Sequence, residues 1–278
     1  MRKIITFVLV LALLIGGLSS CKSKKIGEKS IDTQKNTKEI LMNSNLDDAK
    51  DEFEYKESEI NKGSLVLTKY TGNKNQIVIP TEIDGVPVST IGESKFEAPE
   101  TVTKVTILNN ITNICDSGFN TCKGLKVIEV STDNPKYSSL DGVIFDKEKK
   151  TLIQIPSQKD VSDYSIPNSV QVIGKFSFSN NDTFEKILIP SSVSEIKEWA
   201  FFKCNKLEQI DLPNSIVKIG DCAFNRCEKL KRVYATESIQ NIGQYAFEMC
   251  NESLFIEAPS GTAMEDYAVK NKIEFRIK

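Results

Sequence analysis

Residues 207–229 read Leu-Glu-Gln-Ile-Asp-Leu-Pro-Asn-Ser-Ile-Val-Lys-Ile-Gly-Asp-Cys-Ala-Phe-Asn-Arg-Cys-Glu-Lys, and this stretch decides the fold. Leu207, Ile210 and Leu212 set out an L-x-x-I-x-L pattern whose last part alternates, the periodicity of a strand. Pro213 ends that strand, because proline has no amide to give to a ladder. Ile219 and Gly220 begin a second apolar face and a turn. Ala223 and Phe224 are expected on a short helical or 3₁₀ segment. Cys227 closes the unit as a small buried apolar residue. One such unit cannot bury both of its faces, whereas stacked units share a continuous core.

The unit repeats. Phe178, Phe201, Phe224 and Phe247 are spaced 23 residues apart, and Cys204, Cys227 and Cys250 keep the same interval. So do Ile173, Ile196, Ile219 and Ile242, and so do Pro167, Pro190 and Pro213, a column continued by Thr236 and Pro259. Earlier, Ile91 with Ile114 and Phe96 with Phe119 show the interval once more. Independent columns that agree on one period identify a solenoid. Some rungs depart from the pattern: Cys115 and Lys197 stand where glycine is expected, Gly118 replaces the alanine, Asn181 replaces the cysteine and Ser253 replaces a leucine. Between Ser131 and Pro167 the period is broken. There Val143-Ile144-Phe145 and Thr151–Ile155 flank the charged run Asp146–Lys150, which predicts a β-hairpin inserted at 131–167. The Asp133-Asn134-Pro135 and Asp141-Gly142 clusters supply turn chemistry.

These motifs resemble the BspA-like leucine-rich repeats of bacterial surface proteins. The family's I-P-x-x-V-x-x-I-G-x-x-A-F-x-x-C-x-x-L pattern is matched by Leu212-Pro213, Ile216, Ile219-Gly220, Ala223-Phe224, Cys227 and Leu230, and the resemblance covers roughly residues 65–278. It implies an α/β repeat fold: a right-handed leucine-rich-repeat solenoid of 23-residue units over 61–278, with one strand and one short helical or 3₁₀ segment per unit. The segment Ile79–Val88 looks like the family's usual opening. The tail looks like its usual end, with a capping helix near 262–270 and a last strand near 273–277 inside a cap at 259–278. The hairpin insertion also resembles one that recurs in the family.

The first residues point to export. Met1, Arg2 and Lys3 precede an apolar run from Ile4 to Leu18, too short for a bilayer span of ~20 residues but proportioned like a signal-peptide core. Leu18-Ser19-Ser20-Cys21 follows and resembles the lipobox of bacterial lipoproteins. That resemblance implies a signal peptide over 1–20 and a lipid on Cys21. It also implies an extracytoplasmic protein anchored to the bacterial cell membrane or outer membrane. Residues 21–60 are expected to be a flexible tether, too polar to offset ordering entropy, with a short acidic helix near Asp51–Glu59. Lys22, Lys24, Lys25 and Lys29 either touch anionic headgroups or simply solvate the spacer.

Enzyme chemistry finds little support. The chain has no histidine, which removes Ser-His-Asp and Cys-His nucleophile pairs and imidazole metal sites together. A formal net charge of −2 implies no strong field for nucleic acid. No phosphate-loop, dinucleotide, nucleophile-elbow or EF-hand string is present. Asp133, Asp141 and Asp146 read as turn residues. Cys115 and Cys222 read as structural thiols, with Cys115–Cys122 and Cys222–Cys227 left open as local pairs. No cofactor, metal or catalytic residue is expected.

What the repeat does predict is a surface. Residues between core positions on each strand point outward, which stacks Lys186 with Leu188, Gln209 with Asp211, Arg232 with Tyr234 and Phe255 with Glu257. These eight form the candidate ligand-binding face, with Arg232, Tyr234 and Phe255 as its centre; ordinary mixed surface is the competing reading. Trp199, the only tryptophan, is either a contact anchor or a chance surface aromatic. The function expected is binding or adhesion to a protein or other surface ligand of host, matrix or bacterial origin. A structural envelope scaffold for partner proteins is the alternative.

Overall fold

The computed structural model describes residues 49–278, so the signal peptide, Cys21 and most of the tether lie outside the described residues. The 23-residue period appears as successive rungs, and each rung lays two strands side by side with its neighbours. On the first side, Gln209–Asp211, Arg232–Tyr234, Phe255–Ala258 and Glu274–Ile277 form a parallel sheet in that order. Its register is one rung per step: Gln209 opposite Arg232, and Arg232 opposite Phe255. On the second side, Val172–Ile173, Glu195–Ile196, Lys218–Ile219 and Asn241–Ile242 pair in parallel, again rung on rung. The sequence pattern gave one strand per unit. The second is only two residues long, too short to leave an alternation that could be recognised.

The third side corrects the expected helical segment. Residues around Phe178, Phe201, Phe224 and Phe247 form consecutive turns, not a helix or a 3₁₀ helix. Two residues per rung take the left-handed backbone: Phe176 and Asn180, Trp199 and Lys203, Cys222 and Arg226, Tyr245 and Met249. Their conformation sends amides across to the next rung. Trp199 N–H donates to the Asp221 carbonyl at 3.0 Å, Cys222 N–H to that of Gln244 at 2.9 Å, and Phe224 N–H to that of Ala246 at 2.8 Å. Amides committed between rungs cannot close i→i−4 bonds, so the segment cannot wind into a helix.

The core is the predicted set of columns. Phe178, Phe201, Phe224 and Phe247 stack along the solenoid, with centroid separations of 4.6, 4.8 and 5.1 Å. Ile173, Ile196 and Ile219 are buried beneath the second sheet, and Leu207, Ile210 and Leu212 beneath the first. The cysteine column has a defined polar task. Cys204, Cys227 and Cys250 each donate Sγ–H to a phenylalanine carbonyl one rung back (Phe178, Phe201 and Phe224) at 3.1–3.3 Å. Cys122 does the same to Phe96. Asn181 fills the column where cysteine is missing, and its Nδ2 donates to the Pro156 carbonyl at 3.2 Å. All six cysteines of the described residues are free thiols.

The insertion contains the expected hairpin, Val143–Asp146 against Thr151–Gln154, and a further antiparallel strand, Tyr137–Leu140. The turn between Leu140 and Val143 is Asp141-Gly142, both at positive φ, the two-residue geometry that favours these residue types. Asp146 Oδ1 accepts the Lys150 amide at 2.7 Å, so that carboxylate serves the turn. Asn134, fully buried, ties the insertion down: its Nδ2 donates to the carbonyls of Leu108 and Ile111. Thr151–Gln154 then pairs in parallel with Val172–Ile173, which joins the hairpin to the second sheet. Two apolar clusters meet at this seam, one on each side of the insertion.

Both ends are closed. At the C-terminus, helix Ala263–Asn271 is capped by Thr262, whose side chain accepts the Glu265 amide, and strand Glu274–Ile277 follows. At the other end the structure corrects the tether boundary. Ala49–Glu52 forms a helical turn and Phe53–Glu57 a strand, antiparallel to Leu65–Tyr70, so residues 49–60 are not a free spacer. Phe53 is buried against Tyr70, with ring centroids 5.0 Å apart. A single anchoring aromatic in a polar strand leaves no period in the sequence, and the paired edge supplies the rest of its stability.

Candidate functional site

The outward columns of the first side lie where the repeat places them, with strand Lys186–Leu188, paired in parallel with Asp163–Ser165, standing beside the four-stranded sheet, but they divide into two unequal parts. Lys186, Leu188, Gln209 and Asp211 are exposed, and Leu188 is the most exposed apolar side chain among them at 50%. Lys186 and Gln209 make no side-chain hydrogen bond or ion pair among the described residues.

The other part is internally bonded. Arg232 bridges two rungs: its guanidinium reaches Asp211 Oδ1 at 3.0 Å and Glu257 Oε2 at 3.2 Å. It also lies 5.6 Å from the Tyr234 ring centroid. The C-terminal strand covers the rest. Arg276 stands over the Phe255 ring, and Lys278 Nζ donates to the Tyr234 hydroxyl at 2.7 Å. Arg232, Tyr234, Phe255 and Glu257 are therefore only part-exposed. The sequence frame gave their direction correctly. It missed their partners, because Arg276 and Lys278 come from the cap and stand outside the repeat register.

The match to known proteins lies in the repeat itself. The model of the BspA-type leucine-rich-repeat region matches residues 69–162 and 156–275, with six copies. This chain belongs to that family. BspA-type proteins are cell-surface proteins, and their solenoid is typically a non-catalytic scaffold for binding or adhesion. Among solved structures, a leucine-rich-repeat protein from Eubacterium ventriosum is 18% identical, with a TM-score of 0.50 over 71% of this chain and 73% of that one. A leucine-rich cell-surface protein from Faecalibacterium prausnitzii is 19% identical, with a TM-score of 0.46 over 78% and 96% of the respective chains. No curated protein sequence matches the chain. The first of these likenesses supports the fold.

A second feature was not legible as a site. Where the insertion meets the BspA-type rungs, a groove of about 530 Å³ opens on the outer face of the second sheet. Tyr137, Thr151 and Ile153 come to it from the insertion, and Lys175, Lys197 and Glu198 from the rungs. Lys175 lies 3.9 Å from Asp116, and Lys218 lies 2.9 Å from Glu195. Lys197 and Glu198 have no ion-pair partner among the described residues. Beside the groove, Phe176 stacks on Trp199 at 6.0 Å and 16°, and Phe202 meets Trp199 edge-on at 5.0 Å. In the sequence Lys197 stood out only as a missing glycine, and Trp199 as either a contact anchor or a chance surface aromatic, with nothing to join the two. Among the described residues no cluster of three or more His, Cys, Asp or Glu is placed to hold a metal ion, and no helix is long and apolar enough to cross a membrane.

Proposed function

We propose that this chain is a lipid-anchored, extracytoplasmic binding protein that attaches a protein or other surface ligand through the first side of its solenoid. The observation that carries the reading is the exposed group Lys186, Leu188 and Gln209, a half-exposed leucine between polar side chains that spend no bonds within the fold. Partner contacts gain most from side chains that need not break internal bonds first. The lipobox supports the anchor: two or three acyl chains on Cys21 hold a protein to a membrane stably, where one is marginal.

The test has two arms. Labelled palmitate is fed to cells that express the wild type or Cys21→Ala; incorporation into wild type alone supports the anchor, and incorporation into both overturns it. The full chain is then displayed on liposomes and offered extracellular host proteins and a bacterial envelope fraction. Saturable capture of a host or matrix protein, weakened by Leu188→Ala and Gln209→Ala, supports adhesion. Capture of an envelope protein instead supports the scaffold reading.

A further inference from the structure

The groove at the seam has the chemistry of a site that the repeat alone does not need. Its six charged side chains balance, Lys175, Lys197 and Lys218 against Asp116, Glu195 and Glu198. A phosphate, a nucleic acid or an acidic polymer requires uncompensated positive potential, which this lining lacks. An apolar ligand requires an apolar lining, and this one is mostly polar. The bonding capacity left over is of both kinds. The Lys197 ammonium has donors to give, and the Glu198 carboxylate accepts. The Tyr137 hydroxyl accepts the Ile114 amide at 2.9 Å and keeps its own O–H to donate. The Thr151 hydroxyl has no partner among the described residues. A ligand that suits alternating free donors and acceptors at zero net charge is a polyol, because each hydroxyl both donates and accepts.

The aromatic ridge beside the groove points the same way. Phe176 and Trp199 stand at a left-handed position that successive rungs repeat, held further along by Cys222 and Tyr245, so their backbone belongs to the fold. What is particular to these two rungs is a stacked pair of large aromatic rings that both remain part-exposed. Lys175 couples the two features: it lines the groove, and its ammonium lies 5.7 Å from the Phe176 ring centroid. Lys197 gives the same indication. At Gly220 and Gly243, the next two positions of its column, an added Cβ would lie 2.5 Å or less from the backbone of the rung before. At the groove, a long cation replaces that glycine.

We propose that the groove binds a neutral oligosaccharide. A pyranose ring packs its C–H face on the Phe176–Trp199 ridge, and its hydroxyls bond to Lys197, Glu198, Thr151 and Tyr137. The volume lies within the ~300–1,000 Å³ of small-ligand sites. This site is separate from the face on the first side and does not depend on it. Because Trp199 is the single tryptophan, its emission reports the ridge directly. Full-length chain in detergent is titrated with hexamers of β-1,4-linked glucose, β-1,4-linked N-acetylglucosamine and α-1,4-linked glucose up to ~5 mM, enough to detect a Kd of ~1 mM. A saturable change with at least one hexamer is expected. It should weaken about tenfold in Lys197→Gly, which restores the column's own residue, or in Glu198→Gln, which keeps the shape. Emission that stays flat with all three hexamers overturns the proposal, as does a response that neither substitution alters.

Discussion

The guanidinium carbon of Arg276 lies 3.5 Å from the centre of the Phe255 ring, so the last strand covers part of the surface that the repeat exposes. Arg232, held by Asp211 and Glu257, is likewise committed within the fold. Replacing it should therefore affect stability as well as recognition. Arg232→Ala removes both ion pairs of a side chain about a third exposed, at a cost of about 0.5–1 kcal/mol after screening by solvent. That lowers Tm by a few degrees in a domain of this size. Leu188→Ala, at a half-exposed position, should leave the melt unchanged. Paired thermal melts check the contrast, and equal shifts in the two variants would remove the division of the face.

Phe224 has a stacked phenylalanine on each side, within 4.8 and 5.1 Å, and no solvent exposure. Phe224→Ala should cost about 3–5 kcal/mol, from lost burial and the cavity left between rungs. Phe201→Ala should cost a similar amount. Phe247 differs, because its outer neighbour is the edge of Tyr267 in the cap, 5.8 Å away, where the structure relaxes more easily. Urea unfolding should rank Phe224 and Phe201 above Phe247, and a melt unchanged by all three substitutions would contradict the register.

The thiols should make stability fall at alkaline pH. Burial pushes Cys122 up to about 12 from its ordinary 9.0, and burial raises Cys227 as well. Contact with Cys227 and burial together raise Cys250. A raised folded pKa means that the native state keeps protons which the unfolded chain releases. The stabilisation is complete below the unfolded pKa near 9 and is lost as pH climbs towards the folded values. Each such thiol contributes a slope of about 1.4 kcal/mol per pH unit in that window. Between pH 9 and 10.5, Cys122→Ala should show a shallower decline than wild type, whatever its stability at pH 7. Parallel slopes in chemical denaturation would count against the buried thiol.

The sequence carried the parts of the fold that repeat. Phe201, Phe224 and Ile219 are legible because each obeys one period and one burial. The third side was misread for a physical reason: Ala223, Phe224 and Cys227 have spacings that suit a helix, and a compact turn with left-handed residues presents the same spacing. Phe53–Glu57 was missed because one buried aromatic is not a pattern. The candidate face was legible in direction only. What covers Tyr234 and Phe255 depends on where Arg276 and Lys278 land after the capping helix, which no period governs. The groove was hidden for a related reason, since it exists only where the insertion breaks the repeat.

Asn181 offers the sharpest test of why this solenoid carries a cysteine column. Its Nδ2 donates to the Pro156 carbonyl, as Cys204, Cys227 and Cys250 donate to phenylalanine carbonyls. Its Oδ1 also accepts the Thr183 amide at 2.9 Å and the Thr183 hydroxyl at 2.7 Å, which a thiol cannot match. Asn181 is almost wholly buried, so every lost partner is left without water to replace it. Asn181→Ala should cost about 1–3 kcal/mol for the carbonyl and amide left unsatisfied. Asn181→Cys restores the family's residue and the donor to Pro156 but not the acceptor for Thr183, so its cost should fall between wild type and alanine. Equilibrium unfolding of the three proteins gives the order. If cysteine proves no better than alanine, donation to the carbonyl one rung back is not what the column contributes, and packing volume is the better account of its cysteines.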